Sequence, residues 1–360
     1  MSNSNEFQDI RKKIDNIDRQ IQDLINQRVE HAVDIAEIKR QSENSEFYKP
    51  DREAQVLREV IARNQGPMPN DEMARIFREI MSATLSVESE IIVASLGPIG
   101  TYTQAAAQKH FGKSAQVIFK QTIEDVFRAV QTHDANYGVV PVENSSEGAV
   151  THTLDLLVET PLKICGEVEL RIRHCLLSQD HDISKIIRVF SHSQSLAQCR
   201  RWLTTHLQFA EKKAVASNAE AAKKVSLETG TAAIASKAAA EVYGLNILAE
   251  DIEDTPGNTT RFLLIGHNDV PISGNDKTSL LIAGKNKPGI LYKLLEPLAR
   301  NGLDMTRIES RPSRTGLWEY VFFIDIIGHA KDEEVLSVLS ELEEIAGMYK
   351  VLGSYPVAVL

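Results

Sequence analysis

Apolar residues near the start of the chain fall on alternating steps of four and three: Ile10, Ile14, Ile17, Ile21, Leu24, then Ile35 and Ile38. That spacing predicts a heptad seam on one long helix over residues 6 to 41. No Gly or Pro interrupts the first 49 residues. At the standard rise such a rod is about 50 Å long, too long to bury both ends against a domain of its own size, so an intertwined dimer is expected. A second helix is predicted from near Asp51, with Val56, Leu57, Val60 and Ile61 as its apolar face. Asn64-Gln65-Gly66-Pro67-Met68-Pro69 stops it. A third begins at an Asn70 or Asp71 cap and turns Met73, Ile76, Phe77, Ile80 and Met81 inward, with Thr84 and Glu88 further along that face.

Beyond Glu90 the period changes. Residues 91 to 96 form a short apolar run that ends at Gly97-Pro98-Ile99-Gly100-Thr101, and an Ala-rich helix follows. Strand, Gly-rich turn and helix N-terminus is an arrangement that binds anions through free backbone N–H groups. A helix over 123 to 130 and a strand over 137 to 142 repeat the theme. The strand runs into the polar loop Glu143-Asn144-Ser145-Ser146-Glu147-Gly148, at the carboxyl end where open α/β sheets bind ligands. Two strand-like runs between 162 and 177 cross into a second lobe, with a strand over 187 to 190 and a helix over 196 to 203. Ala-rich helices over 218 to 227 and 236 to 243 surround the short strand Ala232-Ala233-Ile234. The chain returns through Asp254 and the loop up to Phe262 into a strand at Leu263-Leu264-Ile265. After a linker over 267 to 276, the order strand 278–283, helix 289–299, strand 304–311, strand 318–326, helix 332–345 and strand 349–355 is a ferredoxin-like β-α-β-β-α-β module. The expected fold is multidomain: an all-α three-helix head over 1–90, a two-lobed α/β domain over 91–267, and an α+β module over 277–360.

Composition changes this picture little. With 360 residues, two or three domains are expected; 42% hydrophobic and 25% charged residues belong to an ordinary globular protein. A net charge of −10 with no basic stripe argues against nucleic acid and against an anionic membrane surface. No apolar run is long enough to span a bilayer, and the N-terminus does not read as a signal peptide. Cys165, Cys175 and Cys199 have no metal-ligand spacing, which suits reduced thiols in the cytoplasm.

The head carries the first chemistry. Arg28 and His31 occupy the two central positions of the apolar seam. A guanidinium there is costly unless something anionic meets it; a register-fixing polar residue is the alternative. Lys39 lies within about 20° of Arg28 around the helix, whereas Arg11 sits about 100° away and faces a different pocket. Two inward cations suit a small dianion. Residues 6 to 89 resemble the all-helical chorismate mutase family, with Arg11, Arg28, Lys39, Arg52, Glu53, Thr84 and Glu88 standing at its active-site positions. The resemblance implies that Arg28 and the partner chain's Arg11 hold the two carboxylates of chorismate. Lys39 would reach a carboxylate and the ether oxygen, and Glu53 the ring hydroxyl. Glu88 stands where some relatives have Gln, so it donates a hydrogen bond only when protonated.

Residues 91 to 267 resemble prephenate dehydratase. The resemblance rests on Gly97-Pro98 with Gly100-Thr101, Pro141-Val142-Glu143-Asn144-Ser145, His192 with Gln194, and Thr260-Arg261-Phe262. It implies lobes like those of periplasmic solute-binding proteins, with Thr260 at the leaving hydroxyl of prephenate. Thr101, Ser145 and Arg261 are then carboxylate-binding candidates, and Glu143 and Asn144 organise the loop. A structural ion pair to an acid such as Asp254 is the alternative for Arg261. The last module resembles the regulatory ACT domain. In dehydratases it binds phenylalanine across a dimer interface, which points to Asn286, Gly289, Ile290, Leu291 and Leu303 around the first helix and to Glu309, Ser310 and Arg311 on the second strand. A module that only dimerises is the alternative. Together the resemblances imply a cytoplasmic bifunctional enzyme, mutase followed by dehydratase, inhibited by phenylalanine. It is expected to work as a homodimer or larger oligomer and to need no metal or organic cofactor. The competing expectations are a dehydratase with a merely dimerising head and a non-catalytic amino-acid sensor.

Overall fold

The computed structural model describes residues 2–41, 48–284, 287–312 and 320–359, with side chains from residue 6 onward. The head consists of α1 (Ser2–Gln41), α2 (Pro50–Arg63) and α3 (Asn70–Glu88). Pro50 occupies the first turn of α2, where a missing N–H costs nothing, so the helix begins slightly earlier than expected. α2 packs on α3, and the C-terminal part of α1 meets α3 as well. Within one chain the heptad seam has no cover: Ile10, Ile14, Ile17, Ile21, Leu24, Ile35 and Ile38 are all exposed, and only Ala36 of α1 is fully buried among its described residues.

The first α/β lobe runs through β1 (Ile92–Leu96), α4 (Tyr102–Phe111), β2 (Gln116–Lys120), α5 (Ile123–Gln131), β3 (Tyr137–Asn144), β4 (Gly148–Ala149), α6 (Thr151–Glu159) and β5 (Lys163–Arg171). The chain then builds a second lobe from β6 (Cys175–Ser178), β7 (Arg188–Ser191), α7 (Ser193–Gln198), α8 (Arg200–His206), β8 (Glu211–Ala214), α9 (Asn218–Val225), β9 (Thr231–Ala235), α10 (Lys237–Tyr243) and β10 (Asn246–Ala249). It returns as β11 (Thr259–Gly266). The sheets run β2-β1-β3-β11-β5 and β10-β6-β9-β7-β8, so two crossings join the lobes and leave a cleft between them. Two departures from expectation have local causes. The helix predicted over 196–203 is two helices, because the Asp254 carboxylate accepts from the N–H groups of Arg201 and Trp202 and starts a new helix there. β11 starts at Thr259, so Thr260-Arg261-Phe262 lies inside a strand paired on both sides rather than in the loop before it.

The last module comprises β12 (Asp276–Ala283), α11 (Ile290–Arg300), β13 (Met305–Pro312), β14 (Tyr320–Ile327), α12 (Glu333–Ile345) and β15 (Met348–Pro356), with sheet order β13-β14-β12-β15. Alternation along β12 decides its two neighbours. Leu280 and Ile282 pack under α11 and α12 with Leu294, Leu298 and Leu342. Leu281 faces the other way and joins Phe323, Leu352 and Tyr355 in one core with Val142, Ile164 and Leu263 of the first lobe. The two sheets come so close that a Cβ on Gly353 would lie 2.2 Å from the Ile164 carbonyl oxygen. Lys350 adds a polar tie, donating to the carbonyls of Leu157, Val158 and Thr160 where α6 ends. No helix among the described residues is long and apolar enough to cross a membrane.

Candidate active sites

Where α1 crosses α3, Arg28 Nη1 donates to Thr84 Oγ1 at 2.6 Å, and Thr84 donates on to the Ile80 carbonyl at 2.7 Å. Arg40 donates to the Glu88 carbonyl at 2.9 Å. Burial raises the Glu88 pKa, although Lys39, Arg28 and Arg40 all pull it down. Arg28, Lys39, Thr84 and Glu88 therefore form one partly buried cluster, as the helical spacing predicts. Arg11 lies about 26 Å along α1 from Arg28, beyond reach of its own chain's cluster, with its guanidinium 4.3 Å from the ring centre of Phe7. His31 is exposed beside Asp34.

The single chain does not bring Arg52 and Glu53 to this cluster. Arg52 is exposed on α2. Glu53 packs against Arg78 at 3.8 Å, about 15 Å along α3 from Glu88. It belongs to a small buried pocket between head, first lobe and chain end, shared with Tyr48, Lys109 and His110. Burial drives the Glu53 pKa up to about 7 and that of His110 down to about 3. α2 leans on the dehydratase side of the head, where Arg58 also donates to the Ser273 and Asn275 carbonyls of the linker.

The interlobe cleft encloses about 230 Å³, and Thr260 lies on its wall. Asn144 Nδ2 donates to Thr260 Oγ1 at 2.8 Å. The other end of that amide is fixed, because Asn144 Oδ1 accepts from the N–H groups of Ser146 and Glu147. Asn144 fills one of the two acceptor sites of the Thr260 oxygen, and the hydroxyl keeps its proton to donate into the cleft. A bulge at Val142, where the β3–β11 register shifts, lets both Pro141 and Asn144 face the cleft.

No Lys or Arg is among the described residues lining this cleft. The groups there that suit an anion are helix starts. The first turn of α4, from Gly100 to Thr103, and that of α9, from Ser217 to Ala219, both open onto it. Thr101 donates its hydroxyl proton to the Leu96 carbonyl and accepts from Gln104 N–H, so it contributes as the cap of α4. Gly100 has φ +91°, and a Cβ there would crowd Ala239 at 3.3 Å, which explains the glycine. Ser145 does not line the cleft; its hydroxyl accepts from Thr259 N–H and ties the loop to β11. His192 caps α7, its Nδ1 accepting from Gln194 N–H.

Two expected residues lie on the other side of the sheet. Arg261 follows Thr260 in a strand and so faces the opposite way. It meets Glu167 at 2.8 Å and Asp325 at 2.6 Å, and donates to the Tyr355 hydroxyl at 3.0 Å. Burial works against its charge, but Tyr355, Asp325 and Glu167 hold its pKa well above the ordinary value. The carboxylate contact expected of Arg261 is thus replaced by a structural ion pair, made with Glu167 and Asp325 rather than Asp254. Glu143 likewise turns to the back and pairs with Arg307 at 2.9 Å.

In the ferredoxin-like module, Gly289 adopts φ +78° ahead of α11, and Leu291 is 36% exposed on its first turn. Ile290 and Leu303 pack against the module's core. Ile290 fits because Gly284 has no side chain; a Cβ there would lie 2.2 Å from it. On β13, Glu309 is half-buried and Ser310 exposed, while Arg311 is turned onto α6, donating to Thr151 and Asp155. Asn286 lies outside the described residues.

Several cleft residues were not anticipated. Tyr102 and Asn258 lie at its edges, and His174 Nε2 is 2.9 Å from Gln198 Oε1. Burial lowers the His174 pKa and keeps the ring neutral. Gln198 Nε2 is buried without a partner among the described residues, a donor available to a ligand. Asn218 bridges β7 and α7 through Ser191, His192 and Ser195. Isolated polar residues in loops and at helix ends carry no periodic signal that would have singled them out.

A helical head with Arg28 and Lys39 clustered where two helices cross, a cleft that pairs a positioned hydroxyl with helix starts, and a ferredoxin-like module sharing the cleft lobe's core define a multidomain enzyme acting on small acids. Residues 10–89, 93–270 and 278–344 match, in that order, the families described as Chorismate mutase type II, Prephenate dehydratase and ACT domain. A bifunctional chorismate mutase/prephenate dehydratase from Stutzerimonas stutzeri is 52% identical over 365 residues, all of both chains. The Escherichia coli K12 protein of the same name is 32% identical across 99% of this chain and 97% of its own. Among solved structures, a prephenate dehydratase from Arthrobacter aurescens in complex with L-Phe has a TM-score of 0.69 at 35% identity, covering 75% of this chain and 93% of that one. A structure described as GqqA, a novel type of quorum quenching acylases, has a TM-score of 0.68 at 31% identity, covering 74% and 98%. The chain belongs to the bifunctional chorismate mutase/prephenate dehydratase family and is both an isomerase and a lyase of phenylalanine biosynthesis.

Proposed function

We propose that the two reactions run at two separate sites and that the ACT module senses phenylalanine. In the head, Arg28 and Lys39 receive the carboxylates of chorismate, with Thr84 holding Arg28 in place. The rearrangement to prephenate is pericyclic and needs no base or nucleophile. What accelerates it is holding the compact conformer and stabilising charge on the breaking ether bond. Protonated Glu88 and Lys39 are the groups placed for that stabilisation. Arg11 of the partner subunit completes the site, a reading supported by the exposed seam of α1 and the distance from Arg11 to its own cluster. The working assembly is then a cytoplasmic homodimer or larger oligomer.

In the cleft, the first turns of α4 and α9 and the Gln198 Nε2 donor hold the carboxylates of prephenate. The ring carboxylate leaves as carbon dioxide, its bonding pair moves into the ring, and the ring hydroxyl departs as water after taking up a proton. Thr260 donates a hydrogen bond to that departing oxygen; too weak an acid to give up its proton unaided, it polarises the bond or relays from solvent. The hydrogen bond from Asn144 to Thr260 carries this reading, because it makes the hydroxyl an acceptor toward β3 and leaves its proton to be donated to the cleft. Thr260→Ala is expected to lower phenylpyruvate formation by about a hundredfold or more while chorismate is still turned into prephenate. Loss of both activities together would refute separate sites. The start of α11, with Gly289, Ile290, Leu291 and Leu303, and the Glu309-Ser310 stretch of β13 are the phenylalanine-binding candidates. Arg311, engaged by α6, contributes by holding the end of that strand.

A further inference from the structure

The cleft pair Thr260 and Asn144 has a counterpart on the reverse of the same sheet. β11 and β3 pair so that Thr260 stands opposite Asn144 and Arg261 opposite Glu143. The first pair faces the cleft and the second faces the ACT sheet. There Arg261 meets Asp325 at 2.6 Å, and Glu143 meets Arg307 at 2.9 Å. Arg307 and Asp325 are in turn opposite each other where β13 pairs with β14. Four alternating charges thus join one cross-strand pair from each sheet, directly behind the hydrogen bond proposed to aim the Thr260 proton.

The two sides of this square are built differently. Each of the three nitrogens of Arg261 donates a hydrogen bond, to Glu167, Asp325 and Tyr355. Arg307 is as buried, with 10% of its side chain exposed, yet among the described residues its Nε and Nη2 make no hydrogen bond and its pairing with Glu143 is Coulombic only. A buried guanidinium short of acceptors is held loosely. A small slide of β13 can therefore remake its contact, whereas the Arg261 side resists movement. Arg307 also lies two residues before Glu309 on the strand proposed above to meet phenylalanine.

We propose that Glu143 and Arg307 are positioning residues for the dehydration. Their ion pair sets the attitude of Asn144, and through it the direction of the Thr260 hydroxyl, and displacement of β13 by the effector is transmitted along this path. The inference rests on the reading of Thr260 given above. It is tested in the full-length chain with Glu143→Gln, Arg307→Gln and the exchanged pair Glu143→Arg with Arg307→Glu, with Thr260→Ala run in parallel. Expected for either single variant is a fall of about tenfold in dehydratase kcat with little change in KM for prephenate. The response to added L-phenylalanine should be blunted and the mutase rate unaltered, and the exchanged pair should recover more activity than Glu143→Arg or Arg307→Glu made alone. Dehydratase kcat and phenylalanine response both within about twofold of the parent in the single variants would overturn the inference. So would a fall in mutase rate and thermal midpoint in step with dehydration, which marks a purely structural pair. If Thr260→Ala retained dehydration, the reading of Thr260 itself would fall; if it were inactive while the pair had no effect, only the present inference would.

Discussion

Glu88 is the last residue of α3, and burial removes part of the water from around it. Burial is the main reason its pKa is raised, and the nearby cations Lys39, Arg28 and Arg40 only partly offset that. A carboxyl in that setting donates a hydrogen bond while protonated and loses the ability as pH rises through its raised pKa. Mutase rate is therefore expected to decline as pH climbs above the usual carboxylate range. Glu88→Gln, which carries an amide donor at every pH, should give a flat profile; an unchanged slope in that variant excludes Glu88 as the donor. At this scale much was readable from spacing: Arg28, Lys39, Thr84 and Glu88 meet because helical periodicity puts them on facing stripes. Arg261 was not, because its strand begins earlier than its polar residues suggest. Once Thr260 and Arg261 are neighbours in one strand, they must point to opposite faces.

Among the elements, α1 is decisive. Its seam of Ile and Leu is exposed along the whole rod, and apolar surface of that extent is stable in water only when covered. Ile17→Asp should shift the protein toward monomer in light scattering. It should also lower mutase activity by about tenfold or more, because Arg11 would no longer reach a neighbouring cluster, and leave dehydration largely in place. A monomeric parent, or a dimeric variant with full activity, would count against the seam. The heptad made this element legible from the sequence. The short strands β2, β8 and β10 were not, since edge strands of four or five residues with exposed side chains show no alternation to read.

At the scale of the whole molecule, the ACT sheet and the first lobe share one core rather than merely touching. Gly353 marks the tightest point, with backbone against backbone at Ile164. Gly353→Ala must push the sheets apart, with an expected loss of about 1–3 kcal/mol seen as a lower thermal midpoint. The same variant should weaken inhibition by phenylalanine more than it weakens mutase activity. If the midpoint stays unchanged, the sheets are not packed as closely as the structure places them. Such an interface explains how an effector module can act on a cleft it does not line. The charged residues on the back of the lobe, Arg261, Glu167 and Glu143, are spent on it, paired with Asp325, Lys277 and Arg307 of the ACT sheet.

The order of three modules, the long amphipathic rod, the ferredoxin-like alternation and the polar residues that interrupt apolar stripes were all determined by the sequence itself, because periodicity is local and each stripe needs a partner. Which face of β11 and β3 met the cleft, which cations were consumed by the ACT sheet, and that helix starts rather than arginines line the dehydratase cleft were decided only in three dimensions. The reason is physical: a charge is assigned by what lies opposite it, and in this chain the opposite side chain is usually on a distant strand.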